Sequence, residues 1–293
     1  MLLDRGTRKK LAELARQTGP DQSGATTPPA ERTDPDGPGP AAGAPRARRV
    51  GDLDELHGPL ADLLPGLARG VSEGEYYELR TPVAAYGDWA VAAIDRWLGA
   101  MRAGHLAGHN AAAAKALPEG VVFMDTETTG LNNEPLFLVG LLSLDEGEPV
   151  LTQLLARHYG EEPAVLAEAA RRLHAADLLV TYNGASFDVP YVRNRLRYHR
   201  LSAPRFAPHL DLLPVARRRL GRSLGNCRLQ TLERHLCGRE RVGDIAGADI
   251  PQAYHDFVAD GDAGRLRQIV NHNSLDLLTL AELTAHLSAP ASR

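Results

Sequence analysis

The sequence predicts an α/β fold, a mixed sheet with helices packed on it, and three observations carry that prediction. Apolar runs over 121–124, 136–143 and 150–155 follow one another, joined by polar turns such as Asp145-Glu146-Gly147, which suits an antiparallel meander of strands. A helical stretch over 164–175 then leads into a fourth run, 178–182, closed by Asn183-Gly184, and strand, helix, strand after a meander adds parallel strands. From residue 189 onward the pattern is mainly helical, broken by a short segment over 208–212 and a loop over 243–251, and it ends in one long helix over 264–287.

The segments before this core differ in character. Residues 1–49 read as a disordered tail, basic and weakly helical over 2–17, then rich in Gly, Pro, Ala, Asp and Thr with almost nothing to bury. Its Arg46-Ala47-Arg48-Arg49 cluster reads as a solvated charge run. Residues 50–118 form a small α-rich N-terminal region and helical linker, with a strand-like Tyr76-Tyr77-Glu78-Leu79 and a helix over 88–101 capped by Asp88. In that helix Trp89, Ala93, Ile94, Trp97, Leu98 and Met101 keep helical spacing, so the tryptophans are expected to pack against residues 119–289, the main domain.

Composition bounds the function. With 293 residues, 43% of them hydrophobic, the chain can bury a real core, and its longest apolar runs are far too short to span a bilayer. A soluble, cytoplasmic protein with no membrane partner is the expectation. Cys227 and Cys237 form no C-x-x-C pattern, which argues against a disulfide framework and a structural zinc. The net charge of -4 hides a local asymmetry: between residues 189 and 243 thirteen arginines face three acidic residues, a local +10 that suits a surface tracking phosphates, with about half of those arginines simply solvated.

The chemistry centres on Asp125 and Glu127, which arrive where the first apolar run ends. Two residues apart on a strand they share a face, and close like charges resist joint ionisation unless a cation sits between them, so the pair reads as half of a hard-metal site. Asp188 lies six residues beyond the fourth strand, at the start of a helix and at the carboxyl end of the sheet where functional crevices form. His272 and Asp276, four apart on the last helix, interrupt an apolar stripe of Ile269, Leu280 and Leu283, and a buried carboxylate there needs an ion pair or a metal.

Together, Asp125-x-Glu127, Asn183-x3-Phe187-Asp188 and His272-x3-Asp276 resemble the three exonuclease motifs of the DEDD superfamily, which has a ribonuclease H-like fold. More closely, residues 119–287 resemble the YprB-like exonuclease family, including Gly130-Leu131, His209-Leu210-Asp211-Leu212 and Leu229-Gln230-Thr231-Leu232. The resemblance implies that Asp125, Glu127, Asp188 and Asp276 bind metal, that His272 is the general base, and that Thr128, Leu131, Asn183 and Phe187 line the terminal nucleotide. It departs from the superfamily in one respect: a histidine, His272, stands at the spacing usual for a tyrosine, with three residues between it and the last aspartate. Asp211 is a further candidate, for positioning the sheet or the substrate.

Phosphodiester hydrolysis fits these residues. Two divalent ions about 3.5–4 Å apart, held by carboxylates, activate water and neutralise charge on the phosphoryl and leaving oxygens. Mg²⁺ or Mn²⁺ suits an all-oxygen shell better than zinc does. With the polarity that the resemblance implies, the expectation is a two-metal 3′-5′ exonuclease acting on a single-stranded 3′ end, DNA or RNA, with no protein partner specified. Two rivals stand beside it: a ribonuclease H-like module that holds nucleic acid or protein without cutting, and an endonuclease or resolvase. The clustered like charges disfavour the first, and the D-x-E pair on the first strand disfavours the second.

Overall fold

The computed structural model describes residues 47–290 apart from 52, 54, 55, 132 and 204. The basic helix expected over 2–17, and most of the tail, lie outside those residues. In order, the strands are β1 (Arg48–Val50), β2 (Leu67–Val71), β3 (Gly74–Pro82), β4 (Val121–Thr128), β5 (Leu136–Asp145), β6 (Glu148–Leu155), β7 (Leu178–Thr181), β8 (His209–Asp211) and β9 (Arg239–Arg241). The main helices are α1 (Asp88–Arg102), α2 (Glu162–Ala175), α3 (Asp188–Tyr198), α4 (Leu212–Leu220), α5 (Ile250–Asp260) and α6 (Gly264–Ser288).

Seven strands form one mixed sheet in the order β2-β3-β6-β5-β4-β7-β8. The β2 to β4 part is antiparallel, and β7 and β8 join β4 in parallel. The expected α/β fold, meander first and parallel strands after, is therefore what forms. Two segments depart from expectation. Residues 50–118, expected as a separate α-rich region with one strand-like stretch over 76–79, supply two strands to the main sheet: β2 and β3 extend it, because the alternate residues Tyr77 and Leu79 have a core face to occupy when β3 pairs with β6. Arg48 and Arg49, expected in the disordered tail, belong to β1, which pairs in parallel with β9 in a separate two-stranded sheet and buries Val50.

Helices cover both faces of the large sheet. One core joins β3 to β6 with α2, α3, α5 and the first turns of α6; the other joins β4, β7 and β8 with α1, α4 and the rest of α6. In α1, Ala90, Ala93, Ile94, Trp97 and Ala100 are buried at helical spacing, and the Trp97 ring meets Phe123 of β4 edge-on at 5.0 Å between centroids. Asp88 is the first residue of that helix, not its cap; Gly87, with φ of 87°, holds the cap position. The middle of α6, around His272 and Asp276, falls between its two core contacts and passes the carboxyl end of β4. Among the described residues no helix is long and apolar enough to cross a membrane.

Candidate active site

The site begins where β4 stops being apolar. Alternation along β4 puts Asp125 and Glu127 on the side of Val121 and Phe123, which pack towards α1 and α6. At the position of Asp125, α6 presents Asn273 in place of an apolar residue, and its Nδ2 donates to Asp125 Oδ2 at 2.8 Å. Asn273 is itself fixed: its Oδ1 accepts from Gln153 Nε2 at 2.9 Å, and Gln153 also donates to the Val270 carbonyl at 2.8 Å. Space for this bridge comes from Gly140, the β5 residue in register with Asp125, because a Cβ there would lie 1.9 Å from Asn273 Oδ1. Gly140, Gln153 and Asn273 were not singled out from the sequence, although a glycine and a glutamine inside apolar strands are the kind of signal that marks close approach.

Asp188 opens α3 and is 5% exposed; it accepts a 2.5 Å hydrogen bond from the Thr126 hydroxyl. Asp211 adds its charge to the burial that raises Asp188, while its own oxygens hold backbone. Its Oδ1 accepts from the Asn183 and Leu213 amides at 2.8 and 3.0 Å, and its Oδ2 from the Ala185 amide at 3.1 Å. Asn183 needs that support, since its φ of 63° is left-handed. On α6, His272 Nδ1 lies 2.8 Å from Asp244 Oδ1, while Nε2 lies 3.7 Å from Asp276 Oδ2. Arg241, buried at the end of β9, touches Asp276, Asp244 and Glu233 through its three nitrogens.

The electrostatics bind these residues into one group. Burial pushes the Asp125 carboxyl well above its ordinary value, and the charges of Asp276, Glu127 and Asp188 push it further. Glu127 rises to about 8, chiefly through burial, against the pull of His272 and with the help of Asp276, Asp188 and Asp244. Asp188 rises to about 6 by burial, which outweighs the Thr126 hydrogen bond. Burial would lower His272, but Asp276, the Asp244 hydrogen bond and Glu127 overcome it and raise the imidazole to about 9. Asp244 goes the other way: in spite of burial, the hydrogen bond and charge of His272 and the charge of Arg241 keep its carboxyl below the usual range.

The donor set fits a hard divalent cation. All four acidic residues offer oxygen, Glu127 accepts no hydrogen bond from the described residues, and Asp276 Oδ1 is buried without one. That oxygen is 2.5 Å from Arg241 Nη2, an ion pair out of hydrogen-bond alignment. The cluster is nevertheless open: among the described residues, the three donors with ligand atoms within 4.8 Å of one another are Cys237, Glu282 and His286. There Arg96 and Arg239 already neutralise Glu282, a setting that disfavours a cation.

The residues expected at the terminal nucleotide surround the same end of the sheet. Thr128 donates to the Gly130 carbonyl at 2.8 Å, and Leu131 is 56% exposed. Phe187 is half-buried, its ring 5.3 Å from that of Tyr191, whose hydroxyl is 2.8 Å from both the Gly130 and the Glu134 carbonyl and so ties down the loop that carries Leu131. Of the thirteen arginines in the basic stretch, Arg195, Arg239 and Arg241 are turned inward onto Glu162, Glu282 and Glu233, whereas Arg193, Arg197, Arg200, Arg217 and Arg218 stay exposed.

Residues 122–288 match a family model described as RNase_H superfamily, which is more than half of the chain. The chain belongs to the RNase_H superfamily. Over 172 residues this RNase_H superfamily chain is 33% identical to "Uncharacterized protein YprB" of Bacillus subtilis (strain 168), a match that takes in 57% of the chain and 41% of that relative. It is also similar to the family B DNA polymerase from the hyperthermophilic archaeon Pyrobaculum calidifontis, with a TM-score of 0.46 and 14% identity over 57% of this chain and 24% of the polymerase. The chain thus spans well under half the length of either protein.

Proposed function

We propose that the chain is a metal-dependent 3′-5′ exonuclease of the DEDD type, and one observation carries the reading: Asp125 and Glu127 of β4 and Asp188 of α3 all bind their protons more tightly than usual, through burial and the charge of acidic neighbours that include Asp276 of α6. Asp125, Glu127, Asp188 and Asp276 would hold two Mg²⁺ or Mn²⁺ ions. When bound, the ions supply an activated water and charge neutralisation at the phosphoryl and leaving oxygens. The protein's own residues position the rest. Asn273 and Thr126 fix the carboxylates of Asp125 and Asp188. His272, through Nε2, is the proton acceptor, a role that requires the negative charge of Asp276 and Glu127 to be engaged, because uncompensated it keeps the imidazole protonated at neutral pH. Leu131, Thr128, Asn183 and Phe187 border the 3′-terminal nucleotide, and the exposed arginines of α3 and α4 follow the strand behind it.

A non-cleaving binding module is the second reading, favoured by Arg241, which already supplies a positive charge to Asp276. Labelled single-stranded DNA and RNA of one sequence separate the two. With Mg²⁺ or Mn²⁺, a ladder shortening from the 3′ end is expected, absent in Asp125→Ala and on closed circles. Salt-sensitive binding without cleavage under either metal would make the chain a binding module.

A further inference from the structure

We propose that Asp244, in the loop between β9 and α5, is a positioning residue that fixes the ring of His272 by accepting its Nδ1–H, so that Nε2 is presented to the carboxylates of the site. The inference rests on the exonuclease reading for its catalytic consequence, but its geometry stands alone.

His272 Nδ1 is 2.8 Å from Asp244 Oδ1, and the two side chains are only 13% and 9% exposed. An ionised carboxylate can only accept, so the proton of this bond sits on Nδ1 whether the imidazole is neutral or charged. The other nitrogen then faces Asp276 Oδ2, 3.7 Å away. Asp244 is held from behind as firmly as it holds His272. Its Oδ2 accepts from Arg241 Nη1 and from Gln230 Nε2, each at 3.2 Å. Arg241 in turn is anchored by Glu233 at 2.7 Å through Nε and reaches Asp276 through Nη2. One guanidinium therefore sets the spacing between the carboxylate that orients His272 and the carboxylate beside its free nitrogen. On α6 alone, His272 could turn about its side-chain torsions; the loop after β9 removes that freedom. Orientation of an imidazole through a carboxylate on its other nitrogen is a recurring way to fix both tautomer and ring direction.

Proton NMR of the full chain tests this directly. The wild type is expected to show a solvent-protected low-field imidazole resonance, assigned to His272 Nδ1 by its absence in His272→Gln. Asp244→Ala should lose it, and Asp244→Asn, which keeps an acceptor oxygen, should retain it at a shifted position. In the 3′-end assay Asp244→Ala should lower kcat about 10- to 100-fold with KM little changed, and Asp244→Asn should recover most of that loss. A wild type without the resonance overturns the proposal, whatever the variants do. So does an Asp244→Ala protein that keeps it, even one with reduced activity, since Asp244 would then act only structurally. If the resonance behaves as expected in a chain that cuts neither DNA nor RNA, the positioning contact is supported and the exonuclease reading is what fails.

Discussion

Asp211 shows how a carboxylate can serve a site through the backbone it holds, while its charge also bears on Asp188. It accepts three backbone amides, two from the turn that carries Asn183 and one from the start of α4. Asp211→Ala leaves the left-handed Asn183 turn without its anchor and α4 without its cap, a loss of about 1–2 kcal/mol read from the denaturation midpoint. Asp211→Asn keeps a carbonyl oxygen and should recover part of it. Because α3 and Asp188 follow that turn, the exonuclease reading predicts that the Ala variant also binds a 3′ end more weakly, whereas wild-type affinity would leave the turn with a stabilising role alone. From sequence this residue could be marked but not assigned. His209-Leu210-Asp211-Leu212 stood out as a motif, yet which amides Asp211 meets depends on β8 lying beside β7. Asp125, Glu127, Asp188, His272 and Asp276 are easier to single out as candidates, because the first two end an apolar run, Asp188 opens a helix beyond a strand, and the last two interrupt an apolar stripe. Arg241 and Asp244 were not found: one was counted as surface charge, and the other lies in a loop whose path no local spacing fixes.

At the scale of elements, long apolar strands and the long final helix were legible because burial on both sides writes itself as a run. The three-residue strands β1 and β9 were not, since their pairing depends on a partner almost two hundred residues away. Gly140 joins the two levels. It lies within the fully buried part of β5, and its missing side chain lets Asn273 of α6 reach Asp125. A methyl group there would come 1.9 Å from Asn273 Oδ1 and 2.7 Å from its Cγ. Asn273 cannot swing away freely, as both ends of its amide are engaged by Gln153 and Asp125. Gly140→Ala is therefore expected to cost about 1–3 kcal/mol by overpacking and, on the exonuclease reading, to reduce 3′-end cleavage as well. Asn273→Ala would relieve the clash, so the double variant should be more stable than the sum of the single changes allows. Strict additivity in a double-mutant cycle would show that the two positions do not meet.

Among the described residues, like charges gather at the end of β4 without enough positive charge to keep Asp125, Glu127 and Asp188 at their ordinary values, and that makes stability depend on pH and on cations in a way that can be worked out. Glu127 goes from an ordinary value of 4.5 to about 8 on folding, Asp188 from 3.8 to about 6, and His272 from 6.5 to about 9. All three bind their proton more tightly in the folded chain than in the unfolded one. Unfolding therefore releases protons between about pH 4 and pH 9, and stability falls as pH rises through that window. For Glu127 and Asp188 the folded state is penalised progressively as the carboxyl must ionise; for His272 the favourable charge is fully present below 6.5 and disappears through about 9. Asp244 has the opposite sign, its contribution being present above its ordinary pKa and lost in stronger acid. In protein treated with chelator the acidic cluster and His272 should therefore lower the melting temperature as pH rises towards 9, most clearly above about pH 6.5, since up to that point His109, His209 and His286, kept neutral by burial, act in the opposite sense. A divalent ion that binds only the folded carboxylates counters that loss by mass action, so the rise in melting temperature on adding Mg²⁺ or Mn²⁺ should be small near pH 5 and larger at pH 8. The same titration on Glu127→Gln should show a flatter pH dependence without metal and a smaller gain with it, because the variant carries one repelling charge fewer. A metal-induced shift of equal size at pH 5 and pH 8, in wild type and variant alike, would mean that the ion binds elsewhere and that the acidic cluster is compensated from within, by Arg241.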